Sequence, residues 1–173
     1  MADRAIPPLG PGDHVAGPAD APLELVMYGD FQCPYCAAAQ SIVRRVRDRL
    51  DGRLRFAFRH MPLPEVHPEA QLAAEASEAA AAQDAFWPMH DHLYAARGRL
   101  GFEDLVAHAA ALGLDAARVR RELTDGTHVA RVARDEQSAT AAGVNGTPAF
   151  FANGVLHHGA FDAGSLVAAL EGQ

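Results

Sequence analysis

Apolar positions change their period several times along the chain. The run "LELVMYG" (23–29) is almost unbroken and stops at Gly29, which predicts a strand covered on both faces, as in a parallel sheet. From 34 to 50 the period turns helical: Ile42, Val43, Val46 and Leu50 recur on one face, while Arg44, Arg45, Arg47 and Arg49 fall mainly elsewhere. After Gly52, "RLRFAFRHMPL" alternates apolar and polar residues up to Pro62 and predicts a second strand. Strand, helix and strand in this order predict a right-handed crossover unit. Upstream, residues 6–22 are rich in Pro and Gly, an extended leader with one short strand near His14 to Ala16.

From about 68 to 142 the pattern is helical throughout. "PEAQLAAEASEAAAAQ" is Ala-rich, and Ala, Glu and Gln are strong helix formers, so it predicts a real helix rather than a low-complexity tract. Further helices are expected at about 85–96, 102–112, 115–124 and 127–142, divided by Gly98, Gly101, Gly113 and Asp125-Gly126. In "PAFFANGVLHH" two apolar runs meet at Asn153-Gly154, a strong hairpin signal, and Asp162 can cap a last helix over 163–170. The expected organisation is therefore a leader (1–22), a β-α-β segment (23–63), a helical insertion (64–143) and a β-β-α segment (144–173).

Composition narrows the function classes. A chain of 173 residues, 49% hydrophobic, can bury one substantial core. The formal charge is −7 and every basic residue is Arg, so no positive field favours a nucleic acid or an anionic membrane, and the Arg run after 43 reads as a solvated helix face. The N-terminus has no apolar region of the signal-peptide kind, and no run approaches the roughly 20 apolar residues of a membrane span. A cytoplasmic protein without a membrane span is expected.

The only two cysteines, Cys33 and Cys36, stand three apart in "GDFQCPYC". Disulfide frameworks cross-link distant segments, which this pair cannot do. Tetrahedral zinc needs four ligands, yet His90 and His92 would not share a helix face, and His157 and His158 would point to opposite faces of a strand. A redox pair is the better expectation. Disulfide exchange needs a thiolate, and the start of a helix, with its unpaired N–H groups and positive dipole end, stabilises one. Pro34 suits the first helical position, which leaves Cys33 as cap residue and nucleophile. Cys36, one turn further on, is placed to resolve the mixed disulfide.

"DHVAGPADAP", "YGDFQCPYC", "FWPMHDHLY" and "GVNGTPAFFANG", in this order over essentially the whole chain, resemble the DsbA-like thiol-disulfide oxidoreductases of the thioredoxin superfamily. The resemblance implies an α/β thioredoxin fold (β-α-β … β-β-α) with an inserted all-helical domain, a monomer working without cofactor or metal. Its implied partners are thiol- or disulfide-containing proteins or peptides, and glutathione among small thiols. It also implies a cis Thr147–Pro148 bond facing the cysteines, with Thr147, Pro148, Pro34 and Tyr35 contacting substrate. Tyr35 stands where such proteins often carry His, so one donor to the thiolate is missing and extreme oxidising power is not expected.

Two further expectations follow from the resemblance. Met27 occupies the position, six residues before the first cysteine, where many relatives bury a carboxylate under the second cysteine. Glu24 and Asp30 would point away from Met27's face on a regular strand, so resolution by Cys36 is expected to limit turnover. His60 is a further candidate near the pair, whereas Phe86, Trp87, Met89, Leu93 and Tyr94 are expected in the core of the insertion. An alternative function is a redox-sensing or metal-holding module, since the chain also resembles thioredoxin-like domains fused to antiporters.

Overall fold

The computed structural model describes residues 5–96 and 98–172. In chain order the elements are β1 (His14–Ala16), β2 (Leu23–Gly29), α1 (Pro34–Arg49), β3 (Leu54–His60), α2 (Ala70–Ala81), α3 (Phe86–Ala95), α4 (Phe102–Ala111), α5 (Ala116–Asp125), α6 (Val129–Ala141), β4 (Ala149–Ala152), β5 (Val155–Leu156) and α7 (Ala163–Glu171). They divide into two compact units. One takes the chain up to Gly29, Ala38–Arg59 and the part from Ser138 onward; the other takes Asp30–Ala37 and His60–Gln137. The helical unit thus includes the eight-residue stretch that carries both cysteines, not only the predicted insertion.

The first unit is built on one sheet of order β1-β3-β2-β4-β5. At its centre Leu25, Val26, Met27 and Tyr28 of β2 are fully buried, as their unbroken apolar run requires. The sheet is not the all-parallel one that this run predicts, although β3, joined to β2 through α1, lies beside it as the crossover unit predicts. β2 pairs antiparallel with β4 (Val26 opposite Phe151, Met27 opposite Phe150), and β1–β3 and β4–β5 are antiparallel as well. An apolar run reports that both faces are covered; it carries no information on the neighbour's direction. On α1, Ala39, Val43 and Val46 are buried and Arg44, Arg45 and Arg47 exposed, and α7 packs on β2 and β4 through Leu166 and Leu170.

The β4–β5 turn has φ of +50° at Asn153 and +86° at Gly154, the left-handed values that a two-residue hairpin demands. Asn153 also extends the sheet by exchanging bonds with Glu24, and its Nδ2 donates to the Leu170 carbonyl at the end of α7. Gly17 permits a close approach: a Cβ there would stand 2.2 Å from the Leu54 carbonyl oxygen.

The leader is fixed by a buried cation. Arg59 on β3 donates to both carboxylate oxygens of Asp13 (2.8 and 3.1 Å), to the Tyr28 hydroxyl (3.2 Å) and to the carbonyls of Pro7 and Pro8. Burial opposes its charge, but the bonds to Asp13 and Tyr28 more than compensate, and its pKa is raised.

The second unit is helical apart from its connecting segments, with α2 packed on α3, α4 and α5. Ala70, Ala73, Ala74, Ala76, Ala79 and Ala80 are all buried, and their small side chains let the neighbouring helices approach closely. Among the described residues no helix is long and apolar enough to cross a membrane.

Removing one partner of a buried ion pair strands the other. Asp13→Ala should therefore destabilise the protein by about 3–5 kcal/mol, read as a lower denaturant midpoint, whereas the exposed Arg53–Glu171 pair should contribute less than about 1 kcal/mol.

Candidate active site

Strand β2 ends at Gly29, and the next four residues make the turn into α1. Cys33 is the cap: its carbonyl accepts the first helical bond from the Ala37 amide at 3.1 Å, and Pro34 follows as the first helical residue, where no N–H is needed. Cys33 and Cys36 are not joined in a disulfide and are 3% and 0% exposed. Pro34 is exposed between them and Tyr35 is 74% exposed.

Asp30 shapes this turn. One carboxylate oxygen accepts the amides of Gln32 (2.7 Å) and Cys33 (3.1 Å); the other accepts the Leu63 amide (3.0 Å) and meets His67 Nδ1 at 2.8 Å. Gln32 adds a parallel tie, its Oε1 accepting the Glu69 amide. The segment between β3 and α2 is thereby bound to the cysteine turn. Alternation along a strand predicts that Asp30 points away from Met27's face, but β2 has ended before Asp30, and its side chain obeys turn geometry instead.

An aromatic cluster adjoins the turn. The Phe31 ring lies 4.9 Å from that of Tyr94 and 5.8 Å from His90, with centroids measured throughout. Phe86, Met89, Leu93 and Tyr94 are buried, as their helical spacing predicts, and Trp87 is half-buried. Tyr94, however, is more than core. Its hydroxyl stands 3.4 Å from the Asp30 carbonyl, the oxygen that also accepts the Cys33 amide. Burial, reinforced by Cys36, Asp30 and Cys33, pushes its phenol pKa well above the usual range, so it stays protonated and keeps an O–H to donate. The sequence signals no such role, because an aromatic residue at core spacing reads as packing.

The other histidine candidates are committed elsewhere. His60 is wholly buried, with Nε2 2.7 Å from Glu78 Oε1, its amide donating to Asp135 and its ring 6.2 Å from Phe31. His90 Nδ1 bonds Asp91, His92 Nε2 meets His108 Nδ1 at 3.0 Å, and His157 Nε2 bonds the Ala160 carbonyl. In the sheet unit Met27 is fully buried, with its sulfur 3.9 Å from Nε2 of Gln40, four residues beyond Cys36 on α1. Glu24 is engaged by Arg55 at 3.1 Å. Thr147 is half-buried and Pro148 buried just before β4, and the bond between them is cis.

The sequence profile of the family described as Thioredoxin matches residues 10–172. The chain belongs to the thioredoxin superfamily. Among solved structures of this family it is similar to a thioredoxin-like oxidoreductase from Silicibacter pomeroyi, with a TM-score of 0.83, 26% identity, and coverage of 94% of this chain and 92% of that one. It is also similar to BdbD from Bacillus subtilis in its oxidised form, with a TM-score of 0.85, 23% identity, and coverage of 93% and 92%. Among curated proteins it resembles the Na(+)/H(+) antiporter NhaA 1 of Salinispora arenicola, 46% identical over 170 residues, which are 98% of this chain and 26% of the antiporter. The chain spans about a quarter of the length of the curated relatives it matches, 26% for the first two.

The Asp30 carboxylate accepts three backbone amides; that of Cys33 also has the Asp30 carbonyl, so loss of the carboxylate orphans the amides of Gln32 and Leu63, at about 1–3 kcal/mol each. Asp30→Ala should therefore lower stability by about 2 kcal/mol or more in urea unfolding, and Asp30→Asn, which keeps one acceptor oxygen, by less.

Proposed function

We propose that the chain is a thiol-disulfide oxidoreductase working through its Cys-Pro-Tyr-Cys pair, with protein or peptide thiols and disulfides, or small thiols such as glutathione, as substrates. The observation that carries this reading is the start of α1, where the Cys33 thiol sits at the cap with its amide held by Asp30 and Cys36 follows one turn on. The dipole end and the unpaired amides of the first turn favour a thiolate at Cys33.

In the reducing direction the Cys33 thiolate attacks one sulfur of a substrate disulfide. A Cys33–substrate disulfide forms and the other substrate sulfur leaves as thiolate. The Cys36 thiolate then attacks the Cys33 sulfur, forming the Cys33–Cys36 disulfide and expelling the second substrate thiolate, so two electrons have passed to the substrate. The oxidised pair runs the same steps backwards on a dithiol. Sulfur atoms carry the electrons throughout, and no cofactor enters. In this proposal Pro34 and the exposed Tyr35 border the incoming chain, and Thr147 offers its backbone to it beside Pro148. A monomer in the cytoplasm completes the reading.

A second reading is favoured by the antiporter relatives, whose similarity covers 98% of this chain. In it the pair senses redox state or holds a metal on behalf of a larger protein. Catalytic turnover with a disulfide substrate, run beside metal analysis, separates the two: steady turnover by metal-free protein supports the enzyme, and silence supports the module.

The thiols should be unequal. Cys36→Ala should accumulate a mixed disulfide through Cys33, and Cys33→Ala should form little adduct, both read by intact-mass analysis; equal trapping would overturn the assigned roles.

With a helix-end thiolate but no His between the cysteines, the reduction potential should lie between the values of about −270 mV for thioredoxin and about −120 mV for DsbA. A redox-buffer titration that placed it at either end would contradict this.

A further inference from the structure

The resolving step has a demand that the proposed chemistry leaves unmet, and this inference rests on that redox reading. Cys36 must lose a proton to attack, yet its side chain is wholly buried, and burial works against a thiolate. Some group has to favour the charged sulfur.

Tyr94 is the group in place. Its ring packs in a three-ring cluster with Phe31, at 4.9 Å, and His90, at 5.1 Å, which restricts where the hydroxyl points. That hydroxyl reaches the Asp30 carbonyl at 3.4 Å, and the same oxygen takes the Cys33 amide at 3.1 Å, so the phenol sits at the heart of the cysteine turn. The Cys36 side chain is itself within its hydrogen-bonding reach. We propose that Tyr94 is a catalytic hydrogen-bond donor to the Cys36 sulfur, stabilising the thiolate that resolves the mixed disulfide.

The step balances without proton transfer from tyrosine. Cys36 gives its proton to bulk base, its thiolate attacks the Cys33 sulfur, the Cys33–substrate bond breaks, and the departing substrate thiolate takes a proton from solvent. Tyr94 keeps its proton, because burial, the neighbouring sulfurs and Asp30 hold it in the neutral form, and its one O–H turns from the Asp30 carbonyl to the sulfur when Cys36 ionises. The titratable groups facing the hydroxyl are Cys33 and Cys36 on the α1 turn, Asp30 before it and His90 on α3. Behind them, His67 is held on Asp30, and His60, across Phe31, is held on Glu78.

The test uses reduced protein and a chromogenic aromatic disulfide in stopped flow. Attack by Cys33 releases one coloured thiolate, and resolution by Cys36 releases the second. Loss of a hydrogen bond to a charged group should raise the pKa seen in the second phase by about one unit in Tyr94→Phe. The thiolate fraction then falls about tenfold near neutrality, while the more basic thiolate is about threefold more nucleophilic, for a net slowing of about threefold relative to the first phase. Above the midpoint of the profile the same variant should be about threefold faster than wild type, a crossover that mere loosening of the fold would not produce. A second phase whose pH profile superimposes on wild type, or which slows equally at every pH, would overturn the proposal. If Tyr94→Phe does not fold, a monofluorinated tyrosine at 94, a stronger donor of similar size, should move the profile down, and an unmoved profile would overturn the proposal equally. Wild-type protein that releases no coloured thiolate would overturn the redox reading itself, and this inference with it.

Discussion

A single buried carboxylate organises the cysteine turn. Asp30 receives amides from Gln32, Cys33 and Leu63 and the ring of His67, so residues adjacent to it in sequence and residues more than thirty away are fixed by one group. A carboxylate accepts several N–H groups at once, and bonds to a charged acceptor are stronger than neutral ones. With the turn held this way, Cys33 falls at the cap and Cys36 one turn along α1, the spacing that allows sequential attack. The same residue's carbonyl meets the Tyr94 hydroxyl, so the backbone and side chain of Asp30 together define what surrounds the thiols.

The sheet unit has its own counterpart in Arg59. A guanidinium can serve several acceptors in one plane, and this one is shared among Asp13, Tyr28 and two proline carbonyls. A Pro-rich leader has few amides with which to join a sheet, and its exposed carbonyls need donors. The buried cation supplies them. In the helical unit His60, Glu78, Arg131 and Asp135 form a comparable polar core. Each of these groups is costly to bury alone, so each network favours the one packing in which every member is paired.

Most elements were legible in the chain because their causes are local. The spacing of apolar residues marks α1, and Asn153-Gly154 marks a hairpin because both turn residues need positive φ. The predicted helices after 84 match α3 to α6 within two or three residues at each end, since glycines and caps bound them. The direction of β4 beside β2 was not legible, because the unbroken apolar run of β2 reports only that both faces are covered. Within the site, Cys33 and Cys36 announce themselves by type and spacing. The bonds that Asp30 makes are not legible because strand alternation stops at Gly29 and turn geometry takes over, and those of the Tyr94 hydroxyl are not because periodicity reports burial and says nothing of a polar tip.

The sequence by itself therefore determined where helices and strands begin, that the two cysteines flank the start of a helix, and that a family of thiol chemistry was in question. These depend on steric and hydrogen-bonding preferences within a few residues. Tertiary structure alone decided which buried polar groups meet. Tyr94 reaches Asp30 across 64 residues of sequence, Asp135 reaches the His60 amide across 75, and Asp13 reaches Arg59 across 46. Periodicity encodes how deeply a residue is buried, but a hydrogen bond also needs distance and direction between two particular atoms, and those exist only once distant segments have packed.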